Sequence, residues 1–541
     1  MLFGGLVEAS LGRRVKWIVA LLVAVLTGVM SVRGGAALHK AIVKRGHSVA
    51  APGNYSLNQF EMQPFVVDLA AREPVNLLIG VEGAGVQFVS IDTAQFEGFT
   101  PEILFLEDDG FPPDAVAGDG VFTGQMNPAQ EESLPSGETH LAREIRLVEL
   151  IVHGEGAIDE DLVEDVAYAY GFIDGTEEGS GDQSLETGDQ WVRSDRVLNL
   201  VRPDLLEGSF PSIWVDERAA SKNVIEILGD RFDWIVFCGV YNFQAYPVSE
   251  HTLVRNAVKG IGQRLFDDSG AFGSHGVLRS IVGLYQKRMD GLTHNLFHTW
   301  GVYGVEGLGL RSSVGGPGHW GALATPGQAS VFGFPSSLDG FERREDGTFC
   351  GALSEGPMLD WERYLMGLIP ADTVQDALFV RNSELTGFTC GGYSFSGDQV
   401  ETLSMSRWIE TFGKRVPAYP DINRFKAAMV VVSDRTLQDI EMEYFARLAE
   451  AHEREYARKH DQAAFISYSL ASESPREIHG IELTDAGVAV RLSGPAGTLE
   501  LETSSDLESW STFPVEAPTG EAVVRQAASG SSASWFIRWK R

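Results

Sequence analysis

Two histidines four residues apart, His294 and His298 in the run THNLFHTWG, are the residues best spaced for chemistry in this chain. On an α-helix, positions i and i+4 project from nearly one face, so both imidazoles can approach a single metal ion. Leu296 and Phe297 would then turn toward packing. Twelve histidines are scattered over 541 residues, so the pair is a weak signal without its context. A second candidate is acidic: Asp108, Asp109, Asp114 and Asp119 stand among closely spaced glycines in LEDDGFPPDAVAGDGVFTG. Hard carboxylate oxygens at that density can hold Ca²⁺, although the spacing is not that of an EF-hand loop. Asp and Gly are also good turn formers, which explains the run without any ion. The three cysteines divide by context. Cys238 lies in the apolar run FDWIVFCGVY and reads as a buried free thiol. Cys350 and Cys390 lie in Gly-rich surroundings (FCGA and TCGG) and are the pair that can form a disulfide outside the cytoplasm.

The elements that must position these residues fall into several domains, because a single core rarely grows past about 250–300 residues. Residues 50–173 carry short β-rich segments (VNLLIGV, VQFVSI, EILFLED, REIRLVELIVHG) separated by Gly, Pro and Asp, the pattern of a β-sandwich. The Asp-Gly run within them resembles a recurrent turn of secreted bacterial Ig-like domains. Residues 174–194 are rich in acids, Gly and Ser, poor in apolar residues, and read as a solvated linker. From 195 to 472 the pattern is mixed α/β. A strand is expected at Trp234–Val240, helices around Thr252–Lys259 and Gly291–Trp300, and a long amphipathic helix through Ile440, Tyr444, Leu448, His452 and Tyr456. Residues 476–541 return to β-structure, and their LE-x-SSDL-x-W segment resembles the small C-terminal modules of exported bacterial proteins.

Around the histidine pair, THNLFHTWG is followed by Gly318-His319-Trp320-Gly321, then LDWERYLMGLIP (359–370) and GKRVPAYPDINRFKAAMVVV (413–432). In that order these elements resemble a family of exported bacterial zincin-like metallopeptidases, over residues 195–472. Members of that family show HE-x-x-H-x-W, a downstream HW pair, a Y-LMGL-P segment and a G-R-x-P stretch before the last helix. The resemblance implies an α/β zincin fold, with His294 and His298 as paired zinc ligands and His319 as the third. Other zincin arrangements would place a histidine at position 304, which is Gly304, or a downstream acid, for which Glu355, Asp360 and Glu362 are available. One departure bears on function. In HExxH enzymes zinc polarises a water while the Glu takes its proton. Asn295 occupies that position, and an amide cannot take and return a proton near neutral pH. Because that Glu is not a ligand, zinc binding need not be lost with it.

A formal charge of −32 opposes contact with phosphate backbones and anionic lipid surfaces, and excludes nucleic acid as a partner. At the N-terminus, Arg13, Arg14 and Lys16 precede the uncharged run Trp17–Val32 and the small residues Gly34, Gly35, Ala36 and Ala37. That order is expected of a secretory signal within residues 1–37, or of an uncleaved anchor through residues 17–32 that would be the chain's one contact with a membrane. The expectation is therefore an exported, zinc-holding pseudopeptidase that binds polypeptide. Two alternatives are an active peptidase with a base relocated to Asp290, Glu306 or Glu355, and a structural or adhesive protein that meets a cell-surface ligand and keeps a relic site.

Overall fold

The structure, a computed structural model, describes residues 55–471 apart from 84, 130–139, 146–147, 155–156, 159–161, 165–167, 174–184, 210–211, 241–249, 285–286, 288, 290, 311–317, 326–340, 352–357 and 388–392; beyond 476 it describes the strands between 477 and 539. The expected signal at 1–37 and most of the acidic linker lie outside the described residues. The chain is β-rich, with several sheets in two compact units, the second beginning at Leu470.

The sheet that carries the candidate site grows from runs that are apolar throughout. Trp234–Gly239 (WIVFCG) is buried at every position, and Arg424–Ser433 is buried over Ala427–Ser433. Such runs suit parallel strands covered on both faces. These two strands pair in parallel, with Val197–Val201 beside one and Ser280–Gly283 beside the other. The sheet ends on Glu250–Leu253, which pairs antiparallel with Ser280–Gly283, placing His251 opposite Val282. The helix expected around Thr252–Lys259 is thus not formed. The first of those residues are drawn into a strand, and Arg255–Asn256 pairs with Phe266–Asp267. On the other side, Glu186–Gly188 and Trp191–Arg193 form a hairpin that joins the sheet. The chain re-enters regular structure before residue 194 because Val192 is buried and Trp191 half-buried, unlike the acidic residues ahead of them.

The helices start and stop where their chemistry allows. Asp216 caps Glu217–Leu228 by accepting from the Arg218 and Ala219 amides, and Gly229 ends it at a positive φ. The long helix Asp439–Lys459 opens on a capping box between Gln438 and Glu441. Its buried face includes Met442, Phe445, Leu448, Ala449 and His452.

Among the described residues, the N-terminal β region forms three sheets. One is Ser56–Gln63, Val75–Glu82 and Val121–Met126; another is built on Val86–Asp92 and Val148–Gly154; the third holds Tyr168–Ile173 between Val66–Asp68 and His140–Ile145. This region shares a core with the helix 439–459. The Phe65 ring meets Tyr444 at 5.9 Å and Phe445 at 5.7 Å. Gly171 allows that approach, since a Cβ there would lie 2.4 Å from Tyr444 Cε2. A buried charge cluster closes the contact. Arg435 donates to Glu441 at 2.7 and 2.8 Å and to Glu61 at 3.1 Å, while Glu441 also accepts from the Phe65 amide. Glu441 is fully buried and Glu61 nearly so. Removing Arg435 would take away the hydrogen bonds of two buried carboxylates and leave the buried Lys287 as the cation near them. Arg435→Met is therefore expected to cost ~3–5 kcal/mol, read by chemical denaturation, with partial recovery when Glu61→Gln is added. A loss below about 1 kcal/mol, the range of exposed pairs, would contradict this role.

Among the described residues, the second unit forms two three-stranded antiparallel sheets. One orders Glu477–Thr484, Gly487–Ser493 and Ala522–Gln526; the other orders Ser511–Ala517, Gly497–Ser504 and Phe536–Trp539.

Candidate metal centre

The histidine pair sits on the short helix Leu292–Phe297, every residue of which is buried, with His298 as its C-terminal cap. Gly291 opens the helix at φ +77. Three side chains fasten it. Thr299 Oγ1 accepts from Trp234 Nε1 at 3.0 Å and shares a 2.8 Å hydrogen bond with Ser280 Oγ, tying the helix end to the sheet. Thr293 Oγ1 meets His452 Nε2 at 3.1 Å, and the other ring nitrogen of His452 lies 2.9 Å from the Tyr468 hydroxyl. The site helix is thus braced from the long helix as well.

His319 arrives from a separate segment. The Val302 amide donates to Gly318 O at 3.0 Å, which brings the loop alongside His298. Gly318 has φ +97, and a Cβ there would lie 3.2 Å from His298 Nδ1 and 3.4 Å from Tyr303 Cε1, so only glycine fits without displacement. Trp320 then anchors the far side by donating from Nε1 to Glu362 Oε1 at 3.0 Å, both residues being fully buried.

The outcome is a convergence of three Nε2 atoms. His298 Nε2 and His319 Nε2 each lie 3.2 Å from His294 Nε2, and the ligand atoms of all three residues lie within 4.8 Å of one another. All three residues are buried, His319 almost completely. A ring nitrogen has one in-plane site, which either carries a proton or offers a lone pair. His294 Nε2 therefore cannot donate to one neighbour while accepting from the other. One ion satisfies all three lone pairs at once. With Zn–N distances of about 2.0–2.1 Å, two nitrogens 3.2 Å apart subtend an angle of about 100° at the metal, near the tetrahedral value. Burial first, and then the neighbouring His294, His319 and His251, hold His298 well below the usual histidine range, against an opposing hydrogen bond with the Gly301 backbone. It is neutral at physiological pH, the form that binds metals.

Asn295 is buried in the first turn of this helix, and its Nδ2 donates to Gly291 O at 2.9 Å. The amide is thus occupied with the backbone. Of the alternative third ligands, Asp360 lies 3.4 Å from Arg363 and Glu362 accepts from Trp320; neither joins the histidine group. Glu355 and Asp290 lie outside the described residues, as does the side chain of Glu306. The sequence reading missed His251. Its ring lies 5.5 Å from that of His298, and burial pushes it down to about 3.

Asp108, Asp114 and Asp119 form a second group able to hold a cation, while Asp109 is not part of it. Their oxygens are already engaged by backbone amides. Asp108 accepts from Gly120 at 2.9 Å, Asp114 from Val116 at 3.1 Å and Asp119 from Val121 at 2.9 Å, while Asp109 accepts from Phe111. Cys350 is disulfide-bonded and Cys238 is a buried free thiol that burial pushes up to about 12; Cys390 lies outside the described residues.

Compared with known proteins, the chain matches no family model, no curated protein and no solved structure.

Proposed function

We propose that the chain is an exported, zincin-like pseudopeptidase, which holds zinc through His294, His298 and His319 and binds polypeptide without hydrolysing it. One observation carries the reading: three imidazole nitrogens converge as ligands while the neighbouring position, where a proton acceptor belongs, holds Asn295 with its amide tied to Gly291 O. Bound zinc would supply a Lewis acid to an oxygen ligand in its fourth position. The chain's own residues His294, His298 and His319 would hold that ion, but Asn295 cannot move a proton. The mixed sheet that ends in an antiparallel strand, with the site helix packed beside it, agrees with the zincin-like α/β domain that the motifs suggest. Export is supported by the basic, apolar and small-residue order of residues 13–37 and by the disulfide at Cys350, a bond of oxidising compartments. Among the described residues, no helix is long and apolar enough to cross a membrane.

The test is retention without turnover. The zinc-loaded protein should retain a reduced, alkylated test polypeptide and release it intact after prolonged incubation. Chelation or His298→Ala should weaken retention. Chelator-sensitive cleavage by the unmodified chain, abolished by His298→Ala, would overturn the pseudopeptidase reading in favour of an active enzyme with a base elsewhere.

A further inference from the structure

His251 lies on the antiparallel end strand Glu250–Leu253, beside Ser280–Gly283, and the site helix Leu292–Phe297 packs against both strands. Its ring faces that of His298 at 5.5 Å with the planes inclined by 44°. Its Nε2 is shielded from solvent and has no hydrogen-bond partner among the described residues. Among the described residues, three other polar groups around the site are committed. Asn295 Nδ2 donates to Gly291 O, Tyr303 OH donates to His298 O at 3.3 Å, and Thr293 Oγ1 is engaged by His452. A buried polar atom without a partner is costly, and its persistence calls for a reason. His251 is not a member of the histidine group whose ligand atoms lie within 4.8 Å of one another, so it is not placed as a fourth direct ligand. Three protein nitrogens, however, leave one position open on a tetrahedral ion.

We propose that His251 is a positioning residue for that open position: its Nε2 hydrogen-bonds the oxygen atom that occupies the metal's fourth site. With a bound water, the ring nitrogen accepts. With a carboxylate, hydroxamate or peptide carbonyl oxygen, the other tautomer donates. Such a partner satisfies the unpaired nitrogen and selects oxygen ligands over ligands that cannot form this bond. The inference rests on the metal-site reading above and adds a residue which that reading does not require.

The experiment uses the full chain loaded with Co²⁺, whose visible absorption reports its ligands, titrated with acetohydroxamate. His251→Ala should leave cobalt stoichiometry unchanged and weaken acetohydroxamate about tenfold, the effect of one buried hydrogen bond. His251→Gln, whose amide can still donate, should recover part of that affinity and serves as the readout should the alanine variant fold poorly. Loss of cobalt from the His251 variants, as expected for His298→Ala, would make His251 a direct ligand and overturn the proposal. Unchanged acetohydroxamate affinity with unchanged cobalt would make it a bystander and also overturn the proposal. If the unmodified chain takes up no cobalt, the metal-site reading itself fails, a result distinct from either of these.

Discussion

Asn295→Glu is expected to convert the zinc-loaded protein from no measurable peptide hydrolysis to chelator-sensitive hydrolysis, at least ~10²-fold above the unmodified chain, the low end of what general acid–base catalysis supplies. The reasoning starts from the present hydrogen bond. The Asn295 amide is held by donating to Gly291 O. A carboxylate has no proton to donate there and would be repelled by that carbonyl oxygen, so it turns away toward the helix face that carries the histidines. The substitution also adds a methylene at an almost fully buried position, since Asn295 is 2% exposed, and overpacking of that kind typically costs ~1–3 kcal/mol. Zinc content must therefore be measured on the same sample. Full zinc occupancy without any gain in hydrolysis would show that more than the base is missing from the site.

Acid should unfold the protein well before its carboxylates titrate. His452 is buried between Thr293 and Tyr468, and burial lowers it to about 3; His460 is lowered to about 4, again first by burial, with its Nδ1 2.7 Å from Tyr456 O. Both folded values lie below the usual 6.5, so the unfolded chain binds these protons first. The stability they carry is complete above about pH 6.5 and is lost as pH falls toward 4. Each group contributes a slope of up to ~1.4 kcal/mol per pH unit, and two together approach ~3. Unfolding midpoints measured from pH 7.5 to 4.5 should fall steeply below pH 6, and His460→Gln should reduce the slope by that one group's share, up to ~1.4 kcal/mol per pH unit, because the buried His251 and His298 are lowered as well. A midpoint independent of pH over that range would contradict the burial of these rings in the folded state. Because His452 braces Thr293, acid should disturb the histidine site in the same transition.

What the sequence revealed, and what it did not, follows from whether each signal is local. The strand Trp234–Gly239 is apolar at every position, and the helix Asp439–Lys459 repeats its apolar residues at steps of three and four; both patterns lie within one element. The pairing of His294 with His298 is likewise a property of one helix. His319 needed the resemblance, because its approach depends on Gly318 fitting against His298. His251 was invisible because the residues that follow it lack strand alternation and read as a helix. Only pairing with Ser280–Gly283 makes them extended. Glu441 was hidden on a helix whose charged residues looked uniformly solvated, yet it is buried against Arg435 and the N-terminal strand residue Glu61. The contact of Arg435 with Glu61 spans 374 residues and leaves no local pattern. The Asp-Gly run showed its turn chemistry directly, since each of its aspartates accepts from a backbone amide nearby.

The most direct measurement is zinc stoichiometry of the full chain after exhaustive dialysis against trace zinc, compared with His294→Ala, His298→Ala and His319→Ala. Three converging imidazoles predict one zinc per chain in the unmodified protein, and less than one tenth of that in each variant. An unmodified chain that retains no zinc, or three variants that retain as much as the unmodified chain, would contradict the account at its centre.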